Sequence, residues 1–173
     1  MRFSSKFRLI ILLLVFVCAA GCDQASKHIA RTELEHLGSV PLPGGFGEFR
    51  LAQNPGSFLG LGDSLPEPVR AALLTVGVGL GLVGLFADLA ASAPLNCYAF
   101  IGLALVWAGG TSNLIDRMTR RGYVTDFILI RVGLLHTGVF NLADVMIMIG
   151  LAVLVCVLCK QRQMRTPQST RQE

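Results

Sequence analysis

Between Val139 and Cys159 the chain stays apolar long enough to cross a bilayer, and it carries one charged side chain there, Asp144. A membrane helix needs about 20 such residues. A carboxylate within one costs about 2.5–3.5 kcal/mol on insertion scales, and such groups mark working sites in membrane proteins. Asp126 stands in the polar segment just before this run. Two carboxylates within one short excursion point to paired carboxylate chemistry at a membrane surface.

The 173 residues are 53% hydrophobic and only 15% charged. A soluble domain carries about 25% charged residues, so the class is a polytopic membrane protein and one domain uses the whole length. The net charge of +4 comes from the ends: Arg2, Lys6 and Arg8 before the first apolar run, Lys160, Arg162, Arg165 and Arg171 after the last. These read as cytosolic anchors, not nucleic-acid contacts, and put both termini on the cytosolic side. Against this, Arg117, Arg120, Arg121 and Arg131 fall in a segment that the same topology places outside. The five cysteines give no disulfide framework, and Cys156-x-x-Cys159 reads as helix packing. His36 and His136 have no clustered partners, so no metal and no cofactor is expected.

Four spans follow, at about 9–30, 69–87, 95–115 and 139–159, with an extramembrane segment at 32–68 and a basic tail at 160–173. The first resembles a lipoprotein signal ending at Ala19-Ala20-Gly21-Cys22. The helical pattern continues past Cys22, however, and Asp23 and Lys27 share one face and can pair, so an uncleaved helix is expected. Lys27 and His28 read as interfacial anchors. Gly47 to Gln53 alternates like a strand, and Ser64-Leu65-Pro66-Glu67 has the pattern of a capping box. Gly79-Leu80-Gly81-Leu82-Val83-Gly84 matches a dinucleotide fingerprint in letters only, since no strand precedes it. Gly77 and Gly81 are instead expected to admit a neighbouring helix. Trp107 reads as packing and Asp88 as a snorkelling end residue.

Asn113, Asp116 and Arg117 share one helix face. Asn141 and Asp144 are spaced likewise, with Asp144 roughly 7–8 Å below the apparent edge of its span. Two carboxylates held close share a proton, so one can activate water while the other polarises a carbonyl. Spacing alone leaves two other readings open. In one, Asp126 caps a turn and Asp144 pairs with Arg117; in the other, the polar groups line a transport path. Asp116 reads as a salt-bridge partner of Arg117.

Five blocks together resemble lipoprotein signal peptidase (signal peptidase II). They are Asp23-Gln24-x-x-Lys27, Asn54-Pro55-Gly56-Ser57-Phe58, Gly109-Gly110-x-x-Asn113-Leu114-Ile115-Asp116-Arg117, Gly122-Tyr123-Val124-Thr125-Asp126-Phe127-Ile128 and Phe140-Asn141-Leu142-Ala143-Asp144. Each is weak alone; in order and interleaved with four spans they are specific. The resemblance implies an all-α membrane protein, a four-transmembrane-helix bundle with a small extracytoplasmic β-cradle that Ser39 to Leu61 would supply. It implies a catalytic pair at Asp126 and Asp144, with Asp23, Asn54, Asn113, Arg117 and Asn141 in support. The implied substrates are diacylglyceryl-modified prolipoproteins, cut before the lipidated cysteine at the outer face of the bacterial cytoplasmic membrane. Membrane lipids are the other partners, no nucleic acid is expected, and the chain is taken as a monomer. Three features depart from the family: Ser112 stands where Gly is usual, the Asn54 block is one small residue short, and Arg117 to Gly122 is one residue long. The alternatives are a non-catalytic membrane protein of the same topology (an inactive relative or a transport subunit) and a lipoprotein processed at Cys22.

Overall fold

The computed structural model describes residues 4–56, 64–91 and 95–165. Four helices are long and apolar enough to cross a membrane. These are α1 (Ser5–Leu37), α2 (Glu67–Ala91, with a π-helical stretch at Ala72–Gly77), α3 (Cys97–Thr119) and α4 (Leu142–Arg165). Their outward side chains are apolar, as lipid requires: Leu13, Leu80 and Val155 are all more than half exposed. Inside, Leu12, Leu89, Phe100 and Ala104 form one buried cluster, joined at its edge by Trp107 between Phe16 and Phe86.

A four-stranded antiparallel sheet in the order β1-β2-β3-β4 stands at one end of the bundle. Its strands are β1 (Ser39–Pro41), β2 (Gly47–Asn54), β3 (Val124–Val132) and β4 (Leu135–His136). At 1.5 Å per residue the 33 residues of α1 reach about 50 Å, well beyond a hydrocarbon core of about 30 Å. The excess is used. Ala30 and Leu34 bury against Phe127, with Val40, Phe49 and Leu51 around them, so the end of α1 forms the floor of the sheet.

Several boundaries differ from the sequence expectation. Asp126 lies on an inner strand, β3, and not in a loop; the cradle therefore draws half its strands from the segment between the third and fourth spans. Residues 57–61 of the expected cradle lie outside the described residues. The fourth helix begins at Leu142, because Phe140 is held extended by backbone hydrogen bonds to Phe127 and Ile128. Asp144 is thus in the first turn of α4, not several residues deep. Glu67 opens α2 behind Pro66 without a side-chain cap, so Ser64 is not the cap residue. Cys156 and Cys159 are free thiols on the outer surface of the bundle, not packed between helices.

The glycines that matter are also elsewhere. A Cβ on Gly81 would meet nothing within 4 Å, and one on Gly77 would meet only its own helix. The close approach is between α3 and α4. A Cβ on Gly150 would lie 2.5 Å from the Gly102 carbonyl oxygen and 2.8 Å from Val106 Cγ2. Backbone cannot retreat there without parting the helices. Gly150→Ala should therefore destabilise the protein by about 1–3 kcal/mol, the usual penalty of overpacking, while Gly81→Ala leaves stability unchanged. Thermal unfolding in detergent micelles measures both.

Candidate active site

Near its sheet-side end, α3 turns Ser112, Asn113, Asp116 and Arg117 to the interior, all buried. The spacing i, i+1, i+4, i+5 is one helical stripe. Facing it, α1 presents Asp23, Gln24 and Lys27. Lys27 is fully buried, a correction to its expected interfacial place. Its ammonium lies 2.7 Å from Asp23 Oδ2 and 3.2 Å from Asp116 Oδ2, and donates to Asn113 Oδ1 at 2.8 Å. A buried cation survives only with partners of this kind. Ser112 Oγ donates to Asp23 at 2.7 Å and accepts from Gln24 at 3.0 Å, so the departure at this position adds a bond between α1 and α3 that glycine cannot make.

This ion cluster positions the neighbouring elements. Asp23 Oδ1 accepts the N–H of Ala143 at the start of α4, and Asp116 Oδ2 accepts the N–H of Thr125 on β3, at 2.9 and 3.0 Å. Asp116 is a salt-bridge partner as expected, but of Lys27, with Arg120 at 3.7 Å, and not of Arg117.

Asn141 and Asp144 form a reciprocal cap. Asn141 Oδ1 accepts the N–H of Asp144 at 3.0 Å, and Asp144 Oδ2 accepts the N–H of Asn141 at 3.2 Å. This is a capping box built from Asn and Asp. The other oxygen of Asp144 accepts from Asn113 Nδ2 at 2.9 Å. Asn141 Nδ2 in turn donates to Asp126 Oδ1 at 2.6 Å, and Asn54 Nδ2 donates to Asp126 Oδ2 at 2.9 Å. Asn54 Oδ1 accepts from the N–H of Gly56 across Pro55, an Asx turn in which the proline occupies a position that needs no donor. The Asn54-Pro55 sequence is thereby accommodated.

Asp126 and Asp144 line one cavity of about 270 Å³ together with Asn54, Asn113 and Arg117. Its remaining wall is apolar and includes Leu74, Val78, Ile147 and Met148. Asn141 joins both carboxylates from behind, and Asp23 acts at one remove through Ala143. The structure thus brings all seven sequence-predicted residues into one connected group. Among the described residues, Arg117 forms no ion pair with Asp144: its guanidinium donates to the Gly56 carbonyl at 2.6 Å, and its buried Nε–H has no partner. The sequence reading missed Gln24, Lys27 and Ser112 as parts of the site. The signal was the matching polar stripes on the first and third spans.

Two pairs of carboxylates differ in their surroundings. Asp23 and Asp116 touch the Lys27 ammonium, whereas the side-chain partners of Asp126 and Asp144 are neutral amides. Burial pushes the Asp126 carboxyl up from 3.8 to about 6; the amide of Asn54 opposes the rise and the nearby charge of Asp144 adds to it.

The sequence profile of signal peptidase (SPase) II matches residues 13–160. The chain belongs to this family. The lipoprotein signal peptidase of Moorella thermoacetica is 35% identical over 150 residues, covering 86% of this chain and 90% of that protein. That of Desulforapulum autotrophicum is 36% identical over 149 residues, covering 85% and 90%. A solved bacterial membrane enzyme shares the fold, with a TM-score of 0.75 over 93% of this chain and 94% of its own at 22% identity. Membership makes the chain a peptidase-family membrane protein of bacterial type.

Two expectations follow from the site. Lys27→Met removes one partner of a buried cluster and should cost about 3–5 kcal/mol, read by thermal unfolding. The second concerns pH. Folded Asp126 keeps its proton up to about pH 6, while an unfolded aspartate loses it near 3.8. The folded state binds more protons between those values, so stability falls as pH rises from about 4 to 6 and then levels. Denaturation midpoints across this range should show that fall in the wild type, and Asp126→Asn should reduce it.

Proposed function

We propose that this protein is an aspartic endopeptidase that removes signal peptides from diacylglyceryl-modified prolipoproteins, cutting on the N-terminal side of the lipidated cysteine. The observation that carries the reading is the pair Asp126 and Asp144, buried on one cavity and held by neutral amides alone. Four acids and two bases (Lys27 and Arg117) are buried in this region. Asp23 and Asp116 both contact the Lys27 ammonium, whereas the amide-held pair has no cation against it, and in this reading that pair carries the working proton.

One carboxylate of that pair is ionised and takes a proton from water as the oxygen attacks the scissile carbonyl carbon. The protonated partner donates to the carbonyl oxygen as it becomes tetrahedral. On collapse the peptide C–N bond breaks, the leaving nitrogen is protonated by the carboxyl that accepted the water proton, and the other carboxylate takes back a proton from the diol as it becomes the product carboxyl group. The free Nε–H of Arg117 is a donor available to the substrate backbone or to the developing oxyanion. The apolar wall suits the lipid-bearing cysteine and the end of the signal helix. In this reading the sheet stands on the outer face of the bacterial cytoplasmic membrane, both termini are cytosolic, and the chain acts as a monomer without a cofactor.

Asp126→Asn and Asp144→Asn should each lower prolipoprotein processing in membranes by about 10²–10⁴-fold, the weight of a general acid or base, with the protein still folded. Wild-type processing by either variant removes the proposal. A substrate that remains bound but uncut by the wild-type chain would favour the non-catalytic relative instead.

A further inference from the structure

Six residues beyond Asp126, at about 3.3 Å each, β3 ends some 20 Å from the site and turns into β4. Gly133 makes that turn with a φ of 60°, and Arg131 faces His136 in the register. The side chains at the tip are apolar and bare: Val132 is 68% exposed, Leu134 100% and Leu135 79%. Beside them the β1–β2 connection carries Phe46, 66% exposed, whose carbonyl accepts the Arg131 N–H at 2.8 Å. Two neighbouring turns therefore form one apolar surface with Arg131 and His136 directly behind it.

A contiguous group of large apolar residues at the tip of a polar-edged sheet marks an interaction surface. Continuity identifies what covers it. His136 and Thr137, at the base of the hairpin, line a cleft that Asp144 borders at its inner end and that Phe140, Val145, Met148 and Ile149 continue along α4. Met148 and Ile149 are half exposed on the outer face of α4, a membrane-spanning helix. The base of the hairpin thus adjoins the exposed apolar side of a membrane-spanning helix, with the Arg131 guanidinium carried beside its tip.

We propose that Phe46, Val132, Leu134 and Leu135 form a wedge that enters the interfacial layer of the same bilayer the four helices span, with Arg131 at the level of the phosphates. The wedge is a membrane contact additional to the spans, and it does not depend on the proteolytic reading. Its consequence is mechanical: it pins the far end of β3, the strand that carries Asp126, at a fixed height above the hydrocarbon.

The test uses the full chain carrying Trp107→Phe, which removes the single native tryptophan, and Leu134→Trp as a reporter. The protein is reconstituted in phosphatidylethanolamine–phosphatidylglycerol vesicles, with and without phosphatidylcholine brominated in its acyl chains. Brominated lipid should quench the reporter and place it about 5–10 Å into the headgroup and acyl boundary, the depth of interfacial segments. Adding Phe46→Ser, Val132→Ser and Leu135→Ser should weaken that quenching by at least about twofold, because the reporter alone lacks the apolar area for insertion. Absence of quenching by brominated lipid overturns the proposal, whether iodide reaches the reporter (a tip in water) or not (a tip covered by protein or a second copy). Equal quenching in the serine variant also overturns it, since the tryptophan would then have created the contact.

Discussion

The ammonium of Lys27 is the point from which the site is held. Through Asp23 it reaches the first turn of α4, through Asp116 the start of β3, and through Asn113 the carboxylate of Asp144. Four elements, α1, α3, β3 and α4, therefore take their relative positions from one buried cation. A buried ion group of this kind is favourable only when its remaining polar atoms are satisfied. The two oxygens of Asp23 and the two of Asp116 each have a donor. The cluster is closed, so it can be rigid.

Its second effect is electrostatic separation. Lys27 never touches Asp126 or Asp144; Asn113 stands between the ammonium and Asp144, and Asn141 connects the two carboxylates. A direct ion pair would fix a carboxylate as a permanent anion. Amide donors orient the oxygens without adding a positive charge, which is what the proposed sharing of a proton within the pair requires. Arg117 follows the same rule by spending its contact on a backbone carbonyl. The buried Lys27 and Arg117 thus make their own contacts elsewhere and leave Asp126 and Asp144 to amide donors.

The four spans were legible because hydropathy and length constrain a lipid-facing helix strongly; spacing alone singled out Asp126 and Asp144, and the family resemblance supplied the five other candidate residues, which the structure gathers in one group. Strand β3 was not. Thr125, Asp126 and Phe127 are polar, charged and apolar in turn, and all three are buried because both faces of the strand are covered, so no alternating exposure pattern appears in the sequence. The start of α4 was misjudged for a related reason. Phe140 and Val139 look like membrane residues, yet backbone pairing of Phe140 with Ile128 claims that stretch for the sheet. Lys27 was misplaced because a single sequence cannot say which polar stripe will face another; Asp23 to Lys27 and Ser112 to Asp116 make sense only as a facing pair. The glycines show the same limit, since Gly77 and Gly81 of α2 look as suggestive as Gly102 of α3 and Gly150 of α4, yet among these only the latter two meet backbone to backbone.

Register in β3 is the condition on which the pair of carboxylates rests. Strand side chains alternate faces, so a slip of one residue would turn Asp126 away from the cavity and present Thr125 or Phe127 in its place. Three contacts oppose such a slip. Phe127 is buried against Ala30 and Leu34 of α1, Thr125 accepts from Arg31, and the Thr125 N–H is held by Asp116. The part of α1 that outruns the bilayer is therefore not a spare length of helix. It supplies the apolar surface that fixes which way a single aspartate points, and this ties the length of the first span to the geometry of the site.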